Sequence, residues 1–185
     1  MAKVSKNPGT YLHPCPAIMA SCGPLSRPNI ITLAWVGTVC SDPPMISVAI
    51  RPSRFSYGLI KESGQFAINL PTAQLAHVTD YCGNTTGRTE DKFASMGLTA
   101  LPGKVVQTAI ICECPVNIEC QVMQILALGS HDLFLGKVVA VHVDEEIQDA
   151  QGDIDLSKAN PLVYGSRQYW SIGQMLGTHG YSVKR

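Results

Sequence analysis

The sequence predicts a mainly β protein, a closed or nearly closed β-barrel with a few short helices. About eight segments are rich in β-branched residues, and Pro, Gly and Asn separate them at regular intervals. Only three stretches carry helix start and stop residues, and all three are short. Strands that follow one another without long helices between them favour a barrel over a parallel α/β sheet. With 185 residues and no repeat or linker, the chain is predicted to be one domain over 1–185.

The strands are predicted from apolar runs and from alternation. In the clearest case Val116, Ile118, Cys120 and Val122 alternate with polar residues, which is the period of a half-buried strand. The other runs are mostly apolar and are bounded by turn residues. The predicted strands cover 17–22, 30–40, 45–50, 65–70, 105–111, 116–122, 134–146 and 166–173.

The helices are predicted from their capping residues. Ser53 is expected to cap a helix that runs to about Glu62, and Thr72 to cap a second helix after Pro71. A third, brief helix is predicted from about Glu90 to Met96, where Gly97 ends it. The polar stretch 147–161 is predicted to be a surface excursion.

Composition limits the classes of partner. The chain has 14 basic and 14 acidic residues, so it lacks the basic excess of a nucleic-acid-binding protein. Only 15% of residues are charged and 45% are hydrophobic, which suggests that a subunit or a ligand covers part of the surface. No apolar run reaches the roughly 18 residues of a membrane span. The N-terminal segment has no apolar signal core, so a cytoplasmic protein is expected.

Seven cysteines raise the question of metal or redox chemistry. If they lie on a strand, Cys112 and Cys114 point to one face, an arrangement that would suggest metal or redox chemistry. The segment "CECPVNIEC" does not match a zinc spacing, and no metal site is expected. The favoured interpretation is that these cysteines are reduced and structural; a thiol or metal protein is the alternative.

Two segments have the residues of an anion site. In "RPSRFS" (51–56) a strand ends and a helix begins, so that backbone N–H groups, hydroxyls and the guanidinium groups of Arg51 and Arg54 lie together. In "NTTGRTEDKF" (84–93) Thr85, Thr86, Gly87, Arg88 and Lys92 provide a second set. The alternatives are a simple cap with solvated arginines in the first segment and a polar turn with an Arg88–Asp91 pair in the second. Neither a GxxxxGK[ST] nor a GxGxxG motif occurs.

Trp35 and His131 are the remaining candidates. Small or polar residues surround Trp35, so the backbone there can approach a flat ligand. "LGSHDLF" places His131 in a turn between two long strands, where it is predicted to be exposed to a ligand or simply to close a hairpin. His77 and His142 are interpreted as structural histidines. No GxSxG motif or other hydrolytic arrangement is present.

The order of these segments resembles the flavin reductase-like, FMN-binding split-barrel family, and within it the flavoredoxin and ferric-reductase branch. The resemblance is carried by "PNIITLAWVGTVCSDPPMISVAIRPSRFSYGLIKESGQFAINLP", then "TGRTEDKF", "ECPVNIECQV" and "GSHDLFLGKV", and covers roughly residues 10 to 175. It implies a six-stranded Greek-key split barrel with small helices, which forms a homodimer with FMN near the subunit interface.

The resemblance also implies the residues of the cofactor site. The ring-side candidates are Asn29, Thr32, Ala34 and Trp35. The ribityl and phosphate candidates are Ala49, Ile50, Arg51, Ser53, Arg54, Thr86, Gly87, Arg88 and Lys92. The "GSH" turn resembles a Gly-Asp-His turn that lies near the nicotinamide, which makes His131 a nicotinamide-side candidate. In this sequence Ser130 replaces the Asp of that turn. Tyr164 and Tyr169 are expected to approach the flavin or the partner subunit.

The activity that this resemblance implies is an FMN-dependent oxidoreductase. Electrons from NAD(P)H or a reduced carrier would pass through bound FMN to free flavin, a ferric chelate or a protein acceptor. Because the flavin supplies the chemistry, no acid–base triad is expected. The alternatives are an FMN electron carrier without NAD(P)H activity and a flavin-binding sensor or storage protein.

Overall fold

A computed structural model describes residues 1–183, and its strands form one large antiparallel sheet with two small ones. The strands are β1 (Cys15–Pro16), β2 (Ile18–Cys22), β3 (Asn29–Leu33), β4 (Val36–Ser41), β5 (Pro44–Ile50), β6 (Gln65–Leu70), β7 (Ala100–Pro102), β8 (Ala109–Ile111), β9 (Val116–Ala127), β10 (Asp132–Val143), β11 (Leu162–Gly165) and β12 (Gln168–Ser171). The helices are α1 (Phe55–Ser63), α2 (Ala76–Asn84), α3 (Lys92–Met96) and α4 (Leu156–Ala159), with single 3₁₀ turns at Ala73–Leu75, Glu145–Ile147 and Tyr181–Val183.

The large sheet has the order β3-β2-β6-β9-β10-β5-β4. Its two edge strands, β3 and β4, are neighbours in the chain and are joined only by Ala34 and Trp35. The sheet must therefore curl until its edges meet. The β4–β5 ladder continues up to the bend, where the Trp35 carbonyl accepts a hydrogen bond of 3.0 Å from Ala49 N–H. Because β3 and β4 do not pair with each other, the barrel stays split at this seam. The predicted mainly β, Greek-key split barrel with a few short helices is confirmed. The large sheet has seven strands instead of the six that the resemblance implied.

The barrel interior is filled by aliphatic side chains and two phenylalanines. Phe66 and Phe134 are fully buried among residues of β2, β3, β5 and β6. A second apolar cluster lies where α2, α3 and β8 cover the outside of β2 and β3. Buried Asn69 joins the two layers, because its amide donates to Met19 O and its Oδ1 accepts from Ile111 N.

Several predicted strands need correction. The run 30–40 is two strands, because the chain bends at Ala34–Trp35 to change edges of the sheet. Of 105–111 only Ala109–Ile111 is a strand, and the preceding residues bend around the Glu119 carboxylate. The run 134–146 is shifted to Asp132–Val143, and 166–173 is one half of the β11–β12 hairpin.

The predicted caps also need correction. Ser53 is not the N-cap of α1: Arg54 occupies that position, and no side chain of residues 1–183 caps the helix. Thr72 precedes a 3₁₀ turn without a side-chain hydrogen bond, and α2 begins at Ala76. The third helix begins at Lys92, after the Asp91 carboxylate accepts the N–H of Ala94.

The arrangement that would bring Cys112 and Cys114 to one face of a strand does not occur. Cys112 and Cys114 lie in a turn instead of a strand, with Cys112 exposed and Cys114 buried. Burial raises the pKa of the Cys114 thiol, so it stays protonated. Within residues 1–183 no three His, Cys, Asp or Glu side chains are grouped as metal ligands, and no helix is long and apolar enough to cross a membrane.

One buried carboxylate organises the loop before β8. Glu119 on β9 is fully buried, and it accepts N–H groups from Lys104, Val105 and Val106, each at 2.7 Å. His142 Nε2 lies 2.6 Å from its Oε1. Burial alone would raise the pKa of Glu119, but these hydrogen bonds together lower it. This confirms a structural role for His142.

We expect Glu119→Gln to reduce the free energy of unfolding at pH 7 by about 2–3 kcal/mol, since charge-assisted hydrogen bonds are lost. Because the folded-state pKa is lowered, the stabilisation is present above the unfolded pKa of about 4.3 and is lost as pH falls through the folded value. The free energy of unfolding, measured with urea between neutral pH and about pH 3, should therefore fall less with decreasing pH in the variant than in the wild type. Glu113→Gln, an exposed carboxylate that accepts Thr99 N–H, is the matched control. Equal effects of the two substitutions would contradict this role.

Candidate functional site

Two adjoining clefts lie at the split in the barrel. The first, here the seam cleft, has a volume of about 220 Å³ and lies around Trp35, His131 and the end of β5. The second, the anion cleft, has a volume of about 210 Å³ and lies between the start of α1 and the loop 85–87. Ile31, Arg54 and Gly83 line both, so the two form one continuous groove.

The groove brings together nearly all of the predicted site residues. Thr32, Ala34, Trp35, Ala49, Ile50, Arg51, Arg54 and His131 line the seam cleft. Ser53, Arg54, Thr86, Gly87 and Lys92 line the anion cleft. The segments "RPSRFS" and "NTTGRTEDKF", which are separated in the chain by residues 57–83, therefore face one another across one cleft.

The start of α1 is open toward the anion cleft. Ser53, Phe55 and Ser56 line the cleft, and within residues 1–183 no side chain accepts the first-turn N–H groups of this nine-residue helix. Uncapped N–H groups and the helix dipole favour an anion at this position. The failure of Ser53 to act as a cap thus leaves the helix start available to a ligand.

Lys92 is a buried cation at the base of the anion cleft. Its side chain is only 3% exposed, and Nζ donates to Ile30 O at 2.7 Å and to Cys82 O at 2.6 Å. Burial lowers its pKa, although the neighbouring Cys82 and Cys22 thiols favour its charged form. Two carbonyls use two of the three ammonium protons, so one is left for a ligand.

No carboxylate lines either cleft in the part of the chain that is described. Arg51, Arg54 and Lys92 thus share one groove without an acidic partner, and none of them forms an ion pair there. Buried or clustered cations are normally paired, because charge without a counterion is costly to desolvate. Arg51 and Arg54 are exposed, so this cost falls on buried Lys92, and an anion in the groove would be attracted by all three charges.

Asn29 is placed differently from the prediction. Instead of lying beside Trp35, it is buried next to the anion cleft, where its amide donates to Ser56 Oγ at 2.7 Å. Its Oδ1 is buried and has no donor among residues 1–183. A Cβ on Gly87 would lie 1.9 Å from this Oδ1, so the close approach of the 85–87 loop to β3 requires glycine.

Arg88 packs against an aromatic ring instead of a carboxylate. Its guanidinium stacks on the Phe55 ring, 5.2 Å from the centroid, while Asp91 caps α3. The alternative of an Arg88–Asp91 ion pair is not observed within residues 1–183. Phe55 lines the anion cleft and Arg88 does not, so Arg88 lies at the rim of the cleft.

Trp35 and His131 form the mouth of the seam cleft. Trp35 is 44% exposed, and the two rings are 4.6 Å apart between centroids. Desolvation lowers the pKa of His131, and the Arg51 and Arg54 charges lower it further. Since the ordinary value is about 6.5, the imidazole is neutral at physiological pH. Ser130 Oγ lies 2.9 Å from its Nδ1.

The sequence did not identify the groups that hold these parts in place. The Tyr57 hydroxyl on α1 donates to Asp132 Oδ2 at 2.7 Å, which ties the His131 turn to the helix at the anion cleft. Thr32 donates its hydroxyl to Thr79 O on α2, so that hydroxyl is already committed. Gly83 on α2 lines both clefts, and a Cβ there would lie 3.1 Å from Thr32 Cβ.

Comparison with known proteins gives a consistent result. The family described as "Flavin reductase like domain" matches residues 11–173. The flavoredoxin of Desulfovibrio vulgaris (Miyazaki F) superposes with a TM-score of 0.92 at 34% identity, over 99% of this chain and 100% of that one. Flavoredoxin from Methanosarcina acetivorans gives 0.91 at 28% identity, over 100% of this chain and 98% of that one. The FMN reductase (NADH) RutF of Acinetobacter baylyi is 29% identical over 138 residues, 75% of this chain and 65% of that protein.

Proposed function

The chain belongs to the flavin reductase like domain family, and from that membership we propose that it is an FMN-dependent oxidoreductase. It passes electrons from NAD(P)H or a reduced carrier protein through bound FMN to free flavin, a ferric chelate or a protein acceptor. The observation that carries the proposal is the groove at the barrel split, where three cations without an acidic partner adjoin a cleft walled by Trp35.

The residues of the groove fit FMN. A phosphate dianion is the counterion that Arg54, Lys92 and the uncapped start of α1 require. Gly87 lets the 85–87 loop pack closely against Asn29, which positions the loop at the edge of the anion cleft. The backbone of Ala34, Ala49 and Ile50 borders the seam cleft and offers a narrow wall for a flat ring.

FMN when bound would supply the hydride and electron chemistry, as flavins do in other oxidoreductases. The contribution of this chain is to hold, orient and shield. The guanidinium groups of Arg51 and Arg54 would hold the negatively charged phosphate, and Trp35 would limit the access of water at the mouth of the seam cleft. No side chain is assigned as a proton donor or acceptor.

We assign His131 to the nicotinamide side of the site. It is neutral at physiological pH, so it adds no charge beside Arg51, and its Nδ1 is oriented by Ser130. Tyr57 and Asp132 hold the turn at a constant distance from α1. The FMN reductase of A. baylyi, whose name includes NADH, supports a pyridine nucleotide as donor.

The second candidate is an FMN electron carrier that does not react with NAD(P)H. The match to a flavoredoxin over 99% of this chain favours it. The two candidates share the cofactor site and differ only in the donor, so a single kinetic experiment separates them.

The first prediction concerns that donor. Anaerobic stopped-flow mixing of the FMN-loaded protein with NADH or NADPH should bleach the visible flavin absorbance near neutral pH. A reduced carrier protein, mixed in a parallel experiment, is the control for a competent cofactor. Bleaching by the carrier but by neither nucleotide would replace the reductase with the electron carrier.

The second prediction concerns the phosphate. Arg54→Ala should weaken FMN binding by about 1.5–3 kcal/mol, roughly ten- to 150-fold in Kd, because a charge-assisted contact is lost. Titration of FMN fluorescence measures the affinity. Arg27→Ala, an exposed arginine in a turn that lines neither cleft, should bind FMN like the wild type. Unchanged affinity in Arg54→Ala would show that the phosphate lies elsewhere.

The third prediction concerns assembly. We propose a homodimer, because large apolar side chains such as Leu12, Trp170 and Leu176 are exposed on the single chain. Light scattering of the FMN-loaded protein should give about twice the 19.9 kDa of one chain. A mass of one chain at micromolar concentration would rule the dimer out.

A further inference from the structure

A third cleft adjoins the seam cleft and has no assigned occupant. Its volume is about 420 Å³, and it shares Thr32, Ala34 and Tyr164 with the seam cleft. Two aromatic rings stand in its wall, since Tyr164 on β11 and Tyr169 on β12 meet edge to face with centroids 5.3 Å apart. We call it the tyrosine cleft. A molecule bound in it would lie next to whatever fills the seam cleft.

The acidic group of the tyrosine cleft is already engaged. Asp80 on α2 accepts a hydrogen bond of 3.1 Å from Asn84 Nδ2 at its Oδ1. Burial, together with the charge of Asp80 and a hydrogen bond to it, raises the pKa of Tyr169 to about 12. The phenol thus stays protonated at neutral pH and remains a partner of the carboxylate. Asp80 is exposed to solvent, and its carboxylate accepts a hydrogen bond from within the same helix.

Arg167 is in the opposite situation. It lines the tyrosine cleft, and no hydrogen bond, ion pair or ring contact to its side chain occurs within residues 1–183. It occupies the two-residue turn between β11 and β12, where Ser166 has φ 51° and Arg167 has φ 63°. Such a turn ordinarily contains Asn and Gly, because the left-handed conformation disfavours other side chains. An arginine here is backbone-strained and at the same time unpaired.

We propose that the tyrosine cleft binds the small molecule that exchanges electrons with this protein, and that Arg167 anchors an anionic group of that molecule. The inference rests on the proposed function, since it takes the seam cleft as the place of the flavin ring. The phenol rings provide flat apolar walls, and the guanidinium recognises phosphate or carboxylate oxygens. The phosphates of NAD(P)H and the carboxylates of a ferric chelate are the two sources of that chemistry.

The variant that tests the proposal is Arg167→Gly. Glycine removes the guanidinium and also relieves the positive φ, so the midpoint of thermal unfolding should not fall below that of the wild type. Binding of the anionic partner should nevertheless weaken about tenfold or more. A folding defect and a binding defect are thereby separated within one protein. Arg167→Lys, which keeps the charge, should retain part of the affinity.

The measurement is calorimetric titration of the FMN-loaded protein with NADP⁺ and, separately, with ferric citrate. The probe whose binding weakens in Arg167→Gly identifies the source of the anion, and Arg27→Ala serves as the control arginine. The FMN affinity of Arg167→Gly, titrated independently, should stay within about twofold of the wild-type value. If the wild type itself does not bind FMN, the proposed function is overturned instead. The tyrosine cleft is not this site if neither probe binds the wild type, or if each probe binds Arg167→Gly with the affinity that it has for the wild type.

Discussion

The seam of the barrel is the constraint on which the site depends. The edge strands β3 and β4 of the large sheet are joined by Ala34 and Trp35 alone, so the sheet has to close on itself at these residues. Within residues 1–183, β3 and β4 are the two edges of the sheet and do not pair with each other, and the groove lies where they meet. A barrel with a continuous ladder of hydrogen bonds at this position would have no room for a ligand.

Helix α1 connects the two ends of the groove. Its uncapped start borders the anion cleft, and Tyr57, in the same first turn, donates its hydroxyl to Asp132 next to His131. Tyr57 also packs edge to face on the buried Phe134, with ring centroids 5.3 Å apart. The position of the imidazole relative to the anion site is therefore set by one rigid element, whose other face lies in the core. Preorganisation of this kind lowers the cost of ordering the site when a ligand binds.

The sequence predicted the barrel and the two halves of the anion cleft, because apolar alternation and the Arg–Ser and Gly–Arg–Lys segments are local features. It placed Asn29 beside the ring, whereas the register of β3 brings this residue to Ser56 and Gly87. It took Ser53 as a cap, since only the backbone angles at Arg54 show where α1 begins. The bend at Trp35 and the Tyr57–Asp132 bond depend on contacts between distant segments. Such contacts leave no periodic pattern in the chain.

The two buried charged residues, Glu119 and Lys92, differ in their roles. Glu119 is structural, whereas Lys92 is directed to a ligand. Four donors surround the Glu119 carboxylate, three from one loop and one from His142, so its charge is satisfied within the protein. The Lys92 ammonium has two neutral carbonyl acceptors and no carboxylate among the described residues. A carbonyl pair satisfies hydrogen bonds but does not neutralise a charge. Since burial already lowers the pKa of Lys92, a bound phosphate would restore the stability of its charged form. Phosphate binding and protonation of Lys92 therefore favour each other.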